Sequence, residues 1–476
     1  MKLLQKYRNM SVQAKSSIWY TICNFVQKGI AFFVVPIYTR VLTVDEYGEW
    51  SVFQSWRDIL LIFASLYLFA GVYTKTLVDI QDDRDRYTSS MQGLGTLFTL
   101  AFFLIYFPFH DWFNGKIGLD TPCFILLFLY FLGFPAFSFW STRLKVEYRY
   151  WPFVIMTIIM AAAIPTLSLL LLFNTDLRAK ALIMGYLLVH CAVGLFFYVY
   201  HFIKGKCFYN LKYWKYALKF NIPLIPHYLS IMVLGQADRI MIKHYKGDGD
   251  AGIYSFAYQI ASAINMVISA IDSTRVPWTY EQLKDKNYPR IAKVSTLLLL
   301  MMAGVTLFAA LVSPEIILIG GKNYKPAVYV IPVVALGVYF TFCYSIFSTI
   351  QFYYGATKYV MVASVIGAVL NVVLNAIFIP KVGFIAAAYT TLICYMIFML
   401  MHYLFSRKVL KEQQITEKVF DYKLMFFISF ITLVIGLGCM FTFKYPIIRI
   451  ALILVIVIVA FINRKKMIQL IKSLKG

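Results

Sequence analysis

Apolar runs of roughly twenty residues recur along the whole chain between short polar connections, and about twenty residues of α-helix are needed to cross a hydrocarbon core about 30 Å thick. The pattern predicts an all-α integral membrane protein with about fourteen spanning helices. In the first part of the chain the spans fall at 16–37, 47–70, 91–109, 122–141, 152–173, 181–201 and 216–237. In the second part they fall at 251–271, 291–312, 327–350, 359–379, 383–405, 424–443 and 446–461. The first, second, seventh and eighth carry charges or prolines that lower their hydropathy.

Two echoes along the chain predict an internal repeat. Arg40-Val41-Leu42 precedes Tyr47-Gly48-Glu49-Trp50-Ser51, just as Arg239-Ile240-Met241 precedes Ala251-Gly252-Ile253-Tyr254-Ser255. A helix ending at Phe173, followed by Ala181 and Tyr186, is echoed by one ending at Phe378, followed by Ala386 and Tyr389. The offsets, about 200 residues, correspond to six spans. Six is even, so both halves enter the membrane from the same side, as two six-helix bundles related by a pseudo-two-fold axis along the membrane normal. The expected domains are residues 1–205, residues 206–410, and residues 411–476 with two additional helices and a basic tail. Such an arrangement leads to the expectation of a central cavity and alternating access by rocking.

Composition supports the membrane assignment. Hydrophobic residues make up 61% of the 476 and charged residues only 14%, against about a quarter charged in soluble domains. The net charge of +23 would suggest nucleic acid in a soluble protein. Its distribution argues otherwise. With both termini cytoplasmic, about 31 of the 45 Lys and Arg fall on the inner side. They concentrate at 204–219, 275–293, 407–423 and from Arg464 onward, where they face anionic lipid headgroups. The first apolar stretch lacks a small-residue cleavage pattern and reads as a start-transfer helix. The seven cysteines are scattered singly without metal-like spacing. No Walker A loop, soluble domain or catalytic carboxylate pair is present in the sequence, so no catalytic residue, metal site or bound cofactor is expected.

Charges within the spans are the candidate chemistry, because an ionised group at mid-bilayer costs at least about 2.5–3.5 kcal/mol. Lys28 lies midway along span 1, and Arg57 with Asp58 lies about ten residues into span 2. At about 1.5 Å per residue, Lys28 and Arg57 sit at similar depths, roughly 14 and 15 Å below the outer helix ends. Asp58 neutralises one of them in the alternative reading. Neighbours in sequence point different ways on a helix, however, so Arg57 and Asp58 are not expected simply to cancel each other. His227 stands in the same relation to Arg239 as Lys28 to Arg40, and Asn221, Pro223 and Pro226 mark a place where span 7 is expected to break or kink. Asp238 and Arg239 are placed at the outer end of span 7, and Asp272 and Arg275 at the cytoplasmic end of span 8. These four are candidates for gating or ion coupling, with interfacial anchoring as the other reading. His190 reads as a packing histidine, and Ala363, Gly367, Asn371 and Asn375 form a small, polar stripe suited to close helix contact.

Asn221-Ile222-Pro223-Leu224-Ile225-Pro226-His227-Tyr228-Leu229-Ser230, continuing through Asp238-Arg239-Ile240-Met241-Ile242 to Ala251-Gly252-Ile253-Tyr254-Ser255, resembles polysaccharide transporters of the Wzx type. These are O-antigen and capsule repeat-unit flippases. The likeness extends to residues 36–50, and the fourteen-span plan fits the wider multidrug, oligosaccharidyl-lipid and polysaccharide exporter superfamily. The resemblance implies a bacterial plasma (inner) membrane protein that moves an undecaprenyl-pyrophosphate-linked glycan to the outer leaflet. It also implies that spans 1, 2, 7 and 8 line the cavity, and that polysaccharide polymerase and chain-length proteins are partners. Lys28, Arg57, Asp58, Asn221 and His227 are then the expected substrate-binding set, and Asp58 or Asp272 a candidate for proton or sodium coupling. Basic cavity residues suit a pyrophosphate by their own chemistry, because the anion offsets their desolvation. Three rivals are a lipid II or teichoic-acid precursor flippase, a multidrug exporter of the same superfamily, and a membrane scaffold without transport.

Overall fold

A computed structural model describes residue 7 and residues 10–80, 82–465 and 469 of the chain. Among these residues there is no strand. Lipid offers the backbone no hydrogen-bond partners, so each apolar run closes its N–H and C=O groups internally as helix. The helices are α1 (Val12–Val41), α2 (Val44–Ser65), α3 (Val72–Asp79), α4 (Arg84–Tyr106), α5 (His110–Ile117), α6 (Thr121–Val146), α7 (Tyr150–Asn174), α8 (Ala179–Gly205) and α9 (Leu211–Asn221). They continue with α10 (Ile225–Lys246), α11 (Asp248–Ser262), α12 (Ile264–Lys284), α13 (Tyr288–Leu311), α14 (Val330–Tyr353), α15 (Thr357–Val382), α16 (Phe384–Glu412), α17 (Tyr422–Gly438) and α18 (Pro446–Ile462). The basic tail beyond Lys465, apart from Gln469, lies outside the described residues.

Among the described residues, twelve helical stretches are long and apolar enough to cross a membrane. Two of the fourteen expected spans fall short of that standard among the described residues. α18 is apolar but only 17 residues long. α2 has 22 residues but carries Asp45, Glu46, Glu49, Arg57 and Asp58. It also stops at Ser65, earlier than expected, because Leu66 and Tyr67 adopt positive φ (48° and 53°) before α3 begins. The amide of Asn221 holds that break by donating from Nδ2 to the Leu66 carbonyl at 2.8 Å. Span 7 is broken as its prolines predict: α9 and α10 are separated by a 3-10 turn at Ile222–Leu224.

Packing divides the chain into two compact units, Met1–Val34 with Glu46–Gln236, and Val35–Asp45 with Ala237–Gly476. In the first, α6 and α8 meet at Gly133 and Gly194. A Cβ on Gly194 would lie 2.5 Å from Gly133 backbone atoms, so only glycine permits this approach. In the same unit, Phe124, Phe131, Phe139, Tyr73, Tyr87 and Tyr130 are fully buried.

In the second unit α14 is the central helix, buried along most of its length. α17 turns one stripe, Met425, Ser429, Thr432 and Gly436, toward the bundle. The Ser429 hydroxyl bonds Tyr339 of α14 at 3.2 Å. On α18, Arg449 is buried and Ile453 and Ile456 pack against Ala310, Leu311 and Cys439, while most of the other apolar side chains are exposed, as suits a helix with one side toward lipid.

Candidate functional site

The first unit gathers a polar cluster on α2. Ser51, Ser55 and Arg57 are buried there, and Asp58 is half-buried. The Arg57 guanidinium curls back onto its neighbour: Nε and Nη2 donate to Asp58 Oδ1 at 2.9 and 2.7 Å. This corrects the expectation that adjacent residues could not cancel. The backbone vectors diverge, but the long arginine side chain spans the difference. The other carboxylate oxygen accepts from Gln236 Nε2 at 3.2 Å, and Gln236 Oε1 accepts from Ser55 Oγ at 3.1 Å. The guanidinium lies 4.4 Å from the centre of the Tyr186 ring. Tyr186 in turn packs with His190 and Tyr130, with ring centres 4.1 and 5.9 Å away.

One Arg57 nitrogen is left over among the described residues. Nη1 is buried without a hydrogen bond among the described residues, a costly condition for a charged group. Lys28 is exposed on α1 and has no ion-pair partner among the described residues. His190 Nδ1 donates to the Tyr186 carbonyl at 2.9 Å, and His190 is a packing histidine, as expected. Asn221 is fully buried on the Leu66 carbonyl. His227 is half-buried, with its ring 5.9 Å from that of Tyr228.

The second unit holds a buried carboxylate. Span 7 was expected to end at residue 237, but α10 continues to Lys246, which moves Asp238 from a helix end into the bundle, where it is 1% exposed. Oδ1 accepts from Asn375 Nδ2 at 2.7 Å, and Oδ2 from Tyr254 OH at 2.6 Å and Thr391 Oγ1 at 2.8 Å. Asn371 Nδ2 donates to Thr391 Oγ1 at 3.0 Å, and the Thr390 hydroxyl donates to Asn375. Neutral hydrogen bonds from α11, α15 and α16 thus hold this anion inside the protein. Arg239 is buried with its guanidinium 4.7 Å from the Tyr258 ring centre. Asn371 and Asn375, on the stripe suited to close helix contact, thus also supply hydrogen bonds to the network around Asp238. Their signal lay in the type: two amides four apart in an apolar helix present hydrogen-bonding groups on one face.

Asp272 and Arg275 sit within α12, not at its end. Arg275 Nε donates to Asp272 Oδ1 at 2.8 Å, Nη1 to Thr349 Oγ1 at 3.2 Å and Nη2 to Ser345 Oγ at 3.1 Å. Ser345 Oγ also donates to Asp272 Oδ2 at 3.1 Å, so this group is a closed network between α12 and α14. Among the described residues no three His, Cys, Asp or Glu converge as they would on a metal ion.

The polysaccharide biosynthesis protein family matches residues 13–282, more than half of the 476-residue chain. The chain belongs to that family. The MatE family also matches residues 223–377. A protein of the Lsg locus of Haemophilus influenzae is 25% identical over 375 residues, covering 75% of this chain and 89% of that protein. An uncharacterized membrane protein of Methanocaldococcus jannaschii is 22% identical over 446 residues, covering 87% of each. Among solved structures, lipid II flippase MurJ in its inward closed conformation superposes with a TM-score of 0.67 at 17% identity, covering 94% of this chain and all of that one. An inward-facing multidrug resistance MATE family transporter of the MOP superfamily superposes with a TM-score of 0.61 at 12% identity, covering 82% of this chain and 96% of that one. This member of the polysaccharide biosynthesis protein family therefore shares its all-helical membrane fold with both.

Proposed function

We propose that the protein is a flippase that carries a polyprenyl-pyrophosphate-linked oligosaccharide, of the O-antigen or capsule type, from the inner to the outer leaflet of a bacterial plasma membrane by alternating access. The observation that carries the reading is Arg57: a guanidinium buried in a membrane bundle, with Nη1 unpartnered among the described residues. Burying a charged donor without an acceptor is unfavourable, and an incoming phosphate or glycan oxygen relieves the cost. Asp58 already neutralises much of Arg57, so the net positive charge for a pyrophosphate comes from Lys28. An inside-negative potential favours outward movement of such an anion by about 2.3 kcal/mol per charge per 100 mV.

The family supports a role in polysaccharide biosynthesis, and the lipid II flippase among the fold relatives supports a prenyl-linked cargo. A lipid II or teichoic-acid precursor is the alternative cargo on the same grounds. Multidrug export is the other reading raised by the fold, but the positive charge of Lys28, with Arg57 already paired to Asp58, opposes a cationic drug. A transporter also accounts for the chain better than an enzyme does, because the clusters bind and hold charge without pairing a nucleophile with a base.

We assign ion coupling to Asp238: it is a carboxylate buried within the bundle and held by donors from Asn375, Tyr254 and Thr391, where binding a proton or a sodium ion would offset the cost of burying its charge. Flipping that is indifferent to both gradients would remove Asp238 from that role. For the cargo, Lys28→Ala/Arg57→Ala should leave the protein in the membrane and strand lipid-linked glycan in the cytoplasmic leaflet. Normal surface glycan in that variant sinks the binding assignment. Unchanged glycan with altered dye efflux on depletion favours the exporter.

A further inference from the structure

The connection between the two repeats contains a helix that the transport reading does not use. α9 and α10 belong to a 36-residue helical stretch, Leu211–Lys246, about 54 Å long at about 1.5 Å per residue. The 22 residues of α10 cover the roughly 30 Å hydrocarbon core by themselves. The eleven residues of α9 therefore extend into the headgroup layer.

Its inner face is tied down. Asn210 caps its first turn, accepting from the Lys212 and Tyr213 amides at 3.1 and 3.3 Å. The Tyr213 hydroxyl bonds Asp83, Trp214 Nε1 donates to the Ser90 carbonyl at 2.8 Å, and Ala217 is buried. The loop before it is pressed onto α4, where a Cβ on Gly93 would lie 2.0 Å from the Phe208 carbonyl oxygen.

The outer face is of a different kind. Lys212, Lys215, Tyr216 and Lys219 stand at helical spacing on one exposed stripe, flanked by exposed Leu211. Exposed Lys206, Phe208 and Tyr209 precede it. None of the four lysines forms an ion pair among the described residues. A purely solvated face would not carry Leu211, Phe208, Tyr209 and Tyr216 beside its lysines, whereas an interfacial helix combines basic side chains with aromatic and apolar ones.

We propose that α9 is a binding site for anionic phospholipid headgroups, with Lys212, Lys215 and Lys219 on the phosphates and Leu211 and Tyr216 at the headgroup–acyl boundary. The site is independent of the cargo and of the residues assigned to it. Because its inner face is already hydrogen-bonded, lipid meets a preorganised basic stripe, and little ordering opposes binding.

The test uses the full chain, delipidated in detergent, titrated separately with phosphatidylglycerol and phosphatidylcholine and read by native mass spectrometry. Each lysine near an anionic surface is worth about fivefold, so the first phosphatidylglycerol should bind on the order of a hundredfold more tightly than phosphatidylcholine. Lys212→Gln/Lys215→Gln/Lys219→Gln should bring that preference within about tenfold, while Lys→Arg at the same three positions should keep it. The idea is overturned by a wild-type protein without preference, by a preference unchanged in the Gln variant, or by equal loss in the Arg variant. Lysine-dependent capture of an acidic polypeptide without any lipid preference also overturns it.

Discussion

Replacing Asp58 by Asn removes the anion on which Arg57 rests while leaving an amide that can still meet Gln236. In the native protein two guanidinium nitrogens contact Asp58 Oδ1 at 2.9 and 2.7 Å, and the two side chains are 9% and 25% exposed. At an effective dielectric of about 20, a contact of this length has a gross attraction of about 6 kcal/mol, most of it offset by lost hydration. Breaking such a pair from one side costs about 3–5 kcal/mol, and the partly exposed carboxylate places Asp58→Asn near 3 kcal/mol. With an unfolding entropy of about 1 kcal/mol/K for a chain of this length, the midpoint should fall by about 3 °C. Tyrosine and tryptophan fluorescence during heating of the nanodisc-embedded protein measures it. Arg57→Met/Asp58→Leu, which leaves no buried charge, should recover to within about 1 kcal/mol of wild type. If the double variant is as unstable as Asp58→Asn, or if Asp58→Asn melts at the wild-type temperature, the pair does not hold the cluster together.

Asp238→Asn turns an NH2 group toward hydroxyl and amide donors that now meet a carboxylate. It should lose about 1–3 kcal/mol of stability together with the gradient dependence of flipping; a variant still driven by the same gradient refutes the coupling role. Asp120 caps α6, accepting from the Cys123 amide at 3.1 Å, and pairs with Lys180 at 2.7 Å. Burial alone would raise its carboxyl, but the hydrogen bonds from Lys180 and Cys123 outweigh that and hold it below the ordinary value. Its contribution is therefore full above about pH 4, where the unfolded carboxyl is ionised, and disappears as pH falls through the lowered folded value. Asp120→Asn keeps the cap and loses the ion pair. It should cost under about 1 kcal/mol at pH 7, and the difference from wild type in denaturation curves should shrink near pH 3; a difference that grows on acidification contradicts the assignment.

Much of this protein was legible from hydropathy because lipid imposes a single rule, internal satisfaction of every backbone group, and an apolar run of sufficient length has one way to obey it. The break in span 7 could be read from Pro223 and Pro226 for the same local reason. The end of α2 could not. Leu66 and Tyr67 carry no turn signal, and what steadies their left-handed backbone is the amide of Asn221, far along the chain.

The candidate sites divide in the same way. That Arg57, Asp58, Asp238, Asp272 and Arg275 are unusual follows from sequence alone, since an ionisable residue in an apolar run is expensive wherever it points. Their partners are a matter of tertiary structure. Gln236 reaches Asp58 across 178 positions, and Asn375 and Thr391 reach Asp238 across 137 and 153. A polar residue in one helix has many polar residues in others to choose from, and packing selects which of them come within hydrogen-bond distance. A helical membrane protein with rare internal charges follows from the hydropathy pattern alone. That Arg57 Nη1 has no partner among the described residues while all three guanidinium nitrogens of Arg275 donate follows from packing, because side-chain satisfaction depends on neighbours that no local pattern records.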